Sequence, residues 1–185
     1  MKNNLYPVKG ALSCIFILAL VTIWSCSGMK QNKKYGHATI NATKASVPGS
    51  GTIHFVQKGS EVEMELALDF PSKANKSVAV HIHEHGDCGN EGTDAHGHWN
   101  PTKSNHGKWG SATFHLGDIG NVELDASGKG TLKLETDKWS VGTGSDNDVI
   151  GRAIIVHDGV DDYVTQPTGN AGSRIGCGVI IISQK

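Results

Sequence analysis

The chain has 185 residues, with 17 basic and 18 acidic side chains, a formal net charge of −1 and 24 glycines. That balance excludes the strongly basic surface of a nucleic-acid binder. The length is that of one domain with a substantial core and not of a multidomain assembly.

The first two dozen residues do not read as folded protein. Lys2 and Lys9 precede an uncharged run from Ala11 to Trp24, followed by Ser25 and Cys26, which is a positive n-region, an h-region of signal-peptide length and a cleavage point. Fourteen residues fall short of the roughly 20 apolar residues a membrane span needs, so residues 1–25 read as an export signal. Ile23-Trp24-Ser25-Cys26 resembles a bacterial lipobox, whose cysteine is acylated and becomes the first residue of the mature protein. Trp24 is bulkier than is usual there, and an ordinary secretory peptide cut nearby is the alternative. Cys14 lies inside the apolar run and cannot mark its end. With Lys2 and Lys9 removed, 15 basic residues face 18 acidic ones, a net of −3. Cys88 and Cys177 then remain, and two thiols in an exported chain read most simply as one disulfide.

Residues 26–34 are polar and aperiodic, a lipid-anchored tether, and the folded domain is expected over 35–185. In the stretch 61–69, Val62, Met64, Leu66 and Leu68 alternate with mostly charged residues, the pattern of a half-buried antiparallel strand. Shorter versions lie at 36–42, 52–57, 78–84, 121–125, 129–135, 150–157 and 177–183, and Ser127-Gly128 suggests a hairpin turn. About eight strands without a convincing amphipathic helix predict an all-β antiparallel sandwich or barrel. Two connections, 85–114 and 158–176, are too long for hairpins, and such loops are usually functional or disordered.

Six of the ten histidines border or occupy these loops. His81 and His83 alternate on one strand, so both imidazoles leave the same face and can share an ion. His98 and His106 lie on the first loop, His115 is followed three residues later by Asp118, and His157 closes the apolar run Ile154-Ile155-Val156. Neutral imidazole suits copper and zinc, and an added carboxylate favours zinc.

The stretches His81-Ile82-His83-Glu84, Gly97-His98-Trp99-Asn100-Pro101 with His106, His115-Leu116-Gly117-Asp118-Ile119-Gly120-Asn121, Val156-His157-Asp158 and Gly169-Asn170-Ala171-Gly172-Ser173-Arg174-Ile175-Gly176-Cys177 closely resemble the copper,zinc superoxide dismutases, from about Gly36 to Ile182. The resemblance implies an eight-stranded Greek-key β-sandwich or barrel with two long functional loops. It implies copper on His81, His83, His98 and His157, and zinc on His98, His106, His115 and Asp118, with His98 as the bridging, proton-carrying imidazole. It further implies that Asp161 links His81 to His106, that Cys88 and Cys177 form the family disulfide, and that Arg174 guides superoxide toward copper. Superoxide would be the substrate and the membrane a partner through the N-terminal anchor. The residues leave the oligomeric state open, a homodimer included.

The loop after His157 is shorter than in familiar eukaryotic members and lacks their acidic and lysine cluster. Cys88 follows His83 by five residues, as in bacterial members, and together with the signal this suggests a bacterial envelope protein. Lys30, Lys33 and Lys34 carry no acidic surface-export signal, so a periplasmic location is expected. His85 and His96 read as surface or supporting histidines, with accessory metal ligands as the alternative, His37 and His54 as strand or edge residues, and Trp99 and Trp109 as loop-packing aromatics in preference to partner contacts. Two alternatives of other kinds are a metal reservoir or inactive dismutase-like domain, and a zinc hydrolase. The run from His81 to Asp87 superficially resembles the His-x-His-x-Asp motif of metallo-β-lactamase-type hydrolases, but their fold needs interleaved helices.

Overall fold

A computed structural model describes Met1 and residues 33–183, so the export signal, Cys26 and most of the tether lie outside the described residues. The strands are β1 Tyr35–Ala42, β2 Ser50–Lys58, β3 Glu61–Asp69, β4 Ser77–His83, β5 Gly120–Glu123, β6 Lys129–Thr136, β7 Ala153–His157, β8 Arg174–Val179 and β9 Ile181–Ser183. Short 3₁₀ segments at Pro71–Lys73 and Asn90–Ala95 are the helical elements among the described residues, so the interleaved helices of a metallo-β-lactamase-type hydrolase are not there. Every strand pair is antiparallel, and the order around the sheet is β5-β4-β7-β8-β1-β2-β3-β6. The neighbours β4–β7, β8–β1 and β3–β6 are not consecutive in sequence, which is Greek-key connectivity in a nearly closed barrel.

Side-chain alternation explains which face of each strand turns inward. Val62, Met64, Leu66 and Leu68 of β3 are buried with Ile53 and Phe55 of β2 and Ile40 of β1, and burying each such side chain contributes about 1.5–3 kcal/mol. The solvent face of β3 carries the register-paired ions Glu65–Lys133 and Asp69–Lys129, whose exposure leaves them little energetic weight. β4 and β7 are different, because both of their faces are covered. Val78, Val80, Ile82, Ile154 and Val156 enter the barrel core. His81, His83 and His157 therefore fall on the opposite face with Ala153 and Ile155, and the long loops cover it.

Three expectations need correction. The segment 150–157 is strand only from Ala153, because Ile150 donates its N–H to Asp148 Oδ1 at 3.0 Å and Gly151 turns with φ +80°. The segment 177–183 is one barrel position split into β8 and β9 at Ile180, whose N–H donates to the Arg152 carbonyl at 2.8 Å. Ser127-Gly128 is a tight turn, with Gly128 at φ +82°. The strands that it joins do not pair, since β5 pairs with β4 and β6 with β3, and this leaves the barrel's seam.

The loop 84–119 is pinned to β4 by backbone bonds from Trp99 N to Ile82 O and from Ile82 N to Gly117 O, both at 2.9 Å, and to itself by Gly117 N to Trp99 O at 3.0 Å. A side chain at Gly117 would put Cβ 2.1 Å from the Ile82 carbonyl, so only glycine permits this approach. A third long loop, 137–152, escaped the strand pattern. It is organised by Asp148, which accepts N–H bonds from Gly142, Thr143, Gly144 and Ile150 at 2.6–3.0 Å. Burial alone would raise that carboxyl's pKa, but these donors hold it below the usual value. Trp139 of the same loop is buried and donates to the Leu116 carbonyl at 2.9 Å, tying it to the histidine-bearing loop.

Candidate metal centre

The fold brings all six singled-out histidines and Asp118 into one buried constellation, none more than 5% exposed. Ligand atoms of His81, His83, His98 and His157 lie within 4.8 Å of one another, as do those of His98, His106, His115 and Asp118. His98 belongs to both groups.

The hydrogen bonds decide which ring nitrogens face inward. His83 Nδ1 and His157 Nδ1 donate to the carbonyls of His96 and Gly172 at 2.8 and 3.2 Å. A carbonyl can only accept, so both rings are Nδ1–H tautomers. Their unprotonated Nε2 atoms then face each other at 3.3 Å. His115 Nε2 donates to the Ser104 carbonyl at 3.1 Å. Asp161 receives the other two: His81 Nε2 donates to Oδ2 and His106 Nε2 to Oδ1, both at 2.9 Å. Five rings thus each commit one N–H to an acceptor at the periphery and turn the other nitrogen inward. His81 Nδ1, His106 Nδ1 and His115 Nδ1 are buried and have no hydrogen-bond partner.

His98 alone has no peripheral acceptor. Its Nδ1 is 2.8 Å from Asp118 Oδ1, and its Nε2 is buried and unpartnered on the side of His81, His83 and His157. Asp118 stands among three imidazole nitrogens, with His106 Nδ1 at 3.0 Å and His115 Nδ1 at 3.3 Å. His106 Nδ1 is this close yet makes no hydrogen bond, which is how ligands aimed at a shared cation sit. Backbone N–H groups of Gly107 and His115 donate to Asp118 Oδ2 at 3.1 and 2.8 Å.

Buried nitrogens left unpaired are costly, and four of them converge on two points that a cation would satisfy. The donor sets, four imidazoles and three imidazoles plus a carboxylate, suit copper and zinc respectively. Protonation is arranged accordingly. Burial, reinforced by neighbouring histidines, pushes the pKa values of His81 and His83 well down. Burial likewise lowers His98, and brings His157 to about 4. Burial alone would raise Asp118, but hydrogen bonding to His115 and His98 holds it far below the usual carboxylate range. Neutral imidazoles beside an ionised carboxylate are the forms that bind metal.

Several supporting residues escaped the sequence reading. Asn121 brackets Asp161 by accepting its N–H and donating to its carbonyl, at 2.8 and 2.9 Å. Gln166 clamps the His106 backbone, accepting from N and donating to O at 2.8 and 2.9 Å. A side chain at Gly169, where φ is +68°, would bring Cβ to 1.8 Å from Asp161 Oδ1. Gly169 and Asn121 lie in quoted motifs and could have been suspected. Gln166 has no local signal, because its partner is 60 positions away.

Arg174, at the start of β8 opposite His157, donates to the carbonyls of Gly92 and His96. Among the described residues no carboxylate is paired with it, and its charge acts on both His83 and His157. Lys44 lines the same depression but is paired with Glu91 at 3.7 Å. Cys88 and Cys177 form a disulfide. Trp99 is buried under the Arg152 guanidinium, 4.1 Å from the ring centroid, and Trp109 packs on Phe114 and Trp139. His37 and His54 are cross-strand neighbours on β1 and β2.

Comparison with known proteins agrees with this geometry. Residues 49–180 match the family model described as copper/zinc superoxide dismutase. The chain is 36% identical over 175 residues to an extracellular superoxide dismutase [Cu-Zn] of Caenorhabditis elegans, covering 90% of this chain and 76% of that one. It is 35% identical over 178 residues to a superoxide dismutase [Cu-Zn] of Paramecium bursaria Chlorella virus 1, covering 91% and 90%. It is also 32% identical over 150 residues to a copper chaperone for superoxide dismutase of Rattus norvegicus, covering 76% of this chain and 53% of that one. The matched stretch contains the whole histidine constellation, Arg174 and both disulfide cysteines, and the chain belongs to the copper/zinc superoxide dismutase family.

Proposed function

We propose that this protein dismutates superoxide to dioxygen and hydrogen peroxide. The observation that carries the reading is His98, the one ring of the six whose two nitrogens both face a ligand cluster. His81, His83, His98 and His157 would hold copper; His98, His106, His115 and Asp118 would hold zinc. Bound copper supplies the redox cycle, in which one superoxide is oxidised to dioxygen and a second, with two protons, is reduced to hydrogen peroxide, whereas zinc has no redox chemistry. His98 Nε2 is the atom at which a proton is held and handed on, with Asp118 fixing the opposite side of the ring. Asp161 orients His81 and His106 together, the role of carboxylates behind metal-bound imidazoles. Arg174 attracts the anion toward the His83–His157 side. Copper and zinc per chain and the rate of superoxide decay, measured on one sample, test the whole reading. Both metals bound without accelerated decay would instead identify a metal reservoir.

Steering is an established property of superoxide dismutases, and such fields raise on-rates by about 10- to 1000-fold with a steep dependence on salt. Specific to this chain is that the guiding charge rests largely on Arg174, with Lys44 offset by Glu91. Arg174→Glu should retain both metals, lower the second-order rate by about tenfold or more at low ionic strength, and make the rate rise with added salt. Stopped-flow decay across an ionic-strength series reads this out; an unchanged rate and salt slope would remove Arg174 from the role.

We further propose export to a bacterial envelope, in the periplasm, with lipid attachment at Cys26. The support is the charge pattern of residues 1–26 and the disulfide, which belongs to oxidising compartments. Among the described residues no helix is long and apolar enough to cross a membrane. Cys26→Ser should abolish incorporation of labelled fatty acid, and equal labelling of both proteins would refute the anchor.

A further inference from the structure

A second cluster of metal-binding side chains lies on the surface, outside the buried constellation. Glu84, His85 and His96 are exposed, and one ligand atom from each lies within 4.8 Å of the others. The two rings meet edge to face with centroids 4.5 Å apart. They are held by a short antiparallel extension of β4: His83 bridges to His98, Glu84 N donates to Gly97 O at 3.1 Å, and His85 N donates to Ala95 O at 3.2 Å. The frame that presents them is therefore part of the sheet and not a free loop.

Glu84 feels the charge of Arg152, whose guanidinium donates to its backbone carbonyl. Among the described residues, no hydrogen bond or ion pair reaches the His85 ring, the His96 ring or the Glu84 carboxylate, although many neighbouring polar side chains are satisfied. His96 also sits at φ 61°, ψ −143°, a left-handed backbone conformation that favours glycine. A histidine stands where the backbone disfavours any side chain, and its ring lies where another imidazole and a carboxylate converge.

We propose that Glu84, His85 and His96 form a third, solvent-facing site for a divalent transition ion of the Zn²⁺ or Cu²⁺ type. Two imidazoles and a carboxylate are the borderline donor set such ions prefer. Three protein ligands leave coordination positions open to water, and exposure makes the ion exchangeable, unlike one held in the buried centre. The site adjoins that centre, because the His96 carbonyl accepts from both His83 Nδ1 and Arg174.

The proposal does not depend on dismutase activity. The untagged protein would first be loaded with copper and zinc and freed of excess metal, then titrated with Zn²⁺ by equilibrium dialysis, with the histidine ring resonances followed by NMR. One further equivalent should bind, shifting the His85 and His96 signals. Affinity should fall by tenfold or more in His85→Ala, fall also in Glu84→Gln, and stay unchanged in His54→Ala, which tests the other surface histidine pair. No further equivalent in the wild type, equal binding by His85→Ala, or loss in His54→Ala would each overturn the site. Should the buried centre fail to load, the comparison of wild type with His85→Ala still reads the surface site, so the two failures are separable.

Discussion

Replacing His157 with alanine is expected to abolish superoxide dismutation while leaving zinc near one per chain. His157 reaches the constellation from the end of β7, with its Nδ1 held by the Gly172 carbonyl at 3.2 Å and its Nε2 facing His83 Nε2 at 3.3 Å. It shares no ligand group with His106, His115 or Asp118. Truncation therefore removes one donor from the all-imidazole group and none from the carboxylate-containing group, whose Asp118 keeps its backbone donors. An incomplete ligand set lowers both affinity for copper and control of its chemistry, so the rate should fall by about a thousandfold or more, to that of background. Metal analysis of the purified variant with stopped-flow decay on the same sample decides it. Full copper and full activity would show that the ligand set is wrong, and loss of both metals would show that the two groups are not separable.

Removing the disulfide should lower stability and loosen the centre together. Cys88 and Cys177 are 89 positions apart; on the chain-entropy account, closing such a loop contributes about 4–5 kcal/mol through the unfolded state. For a protein of this size that corresponds to a melting temperature lower by roughly 10–20 °C. The native state is affected as well. Cys88 and Cys177 pack with Ala95, Ala153 and Ile155 on the outer face of the sheet, fastening the segment whose Gly92 and His96 carbonyls hold Arg174 and His83. Cys88→Ser/Cys177→Ser should therefore melt earlier and lose copper to a chelator faster than wild type. A melting temperature within about 2 °C of wild type would refute the stabilising role of the bridge, and an unchanged rate of copper loss would refute its role in holding the centre.

Much of the fold was legible because the relevant forces are local. The two-residue alternation of Val62, Met64, Leu66 and Leu68 needs only one buried face to show itself, and β3 has its expected span. The pattern failed where the chain is apolar without being extended. Ile150 is half-buried in a turn set by the Asp148 carboxylate, and Ile180 is buried at a break between two short strands. Hydrophobicity reports burial in both cases, and burial does not specify backbone direction. The unpaired seam between β5 and β6 was invisible for a related reason: a turn sequence determines that the chain reverses, not that its two arms stay in register.

The sequence by itself singled out six histidines and an aspartate and pointed to the copper/zinc superoxide dismutase family, because motifs are a property of residue identity and spacing. It likewise showed that His81 and His83 must share a face, since strand geometry leaves no alternative. Only the tertiary structure decided which nitrogen of each ring turns inward, because that choice is made by distant acceptors: the carbonyls of Ser104 and Gly172, and one Asp161 carboxylate reaching two rings 25 positions apart in the chain. The same is true of Arg174, which carbonyls about 80 residues earlier in the chain hold and which, among the described residues, is paired with no carboxylate. It is also true of Glu84, His85 and His96, which only the sheet extension sets side by side. Long-range hydrogen bonds and burial set the tautomers and charge states on which metal binding depends, and neither is encoded in any local stretch of the chain.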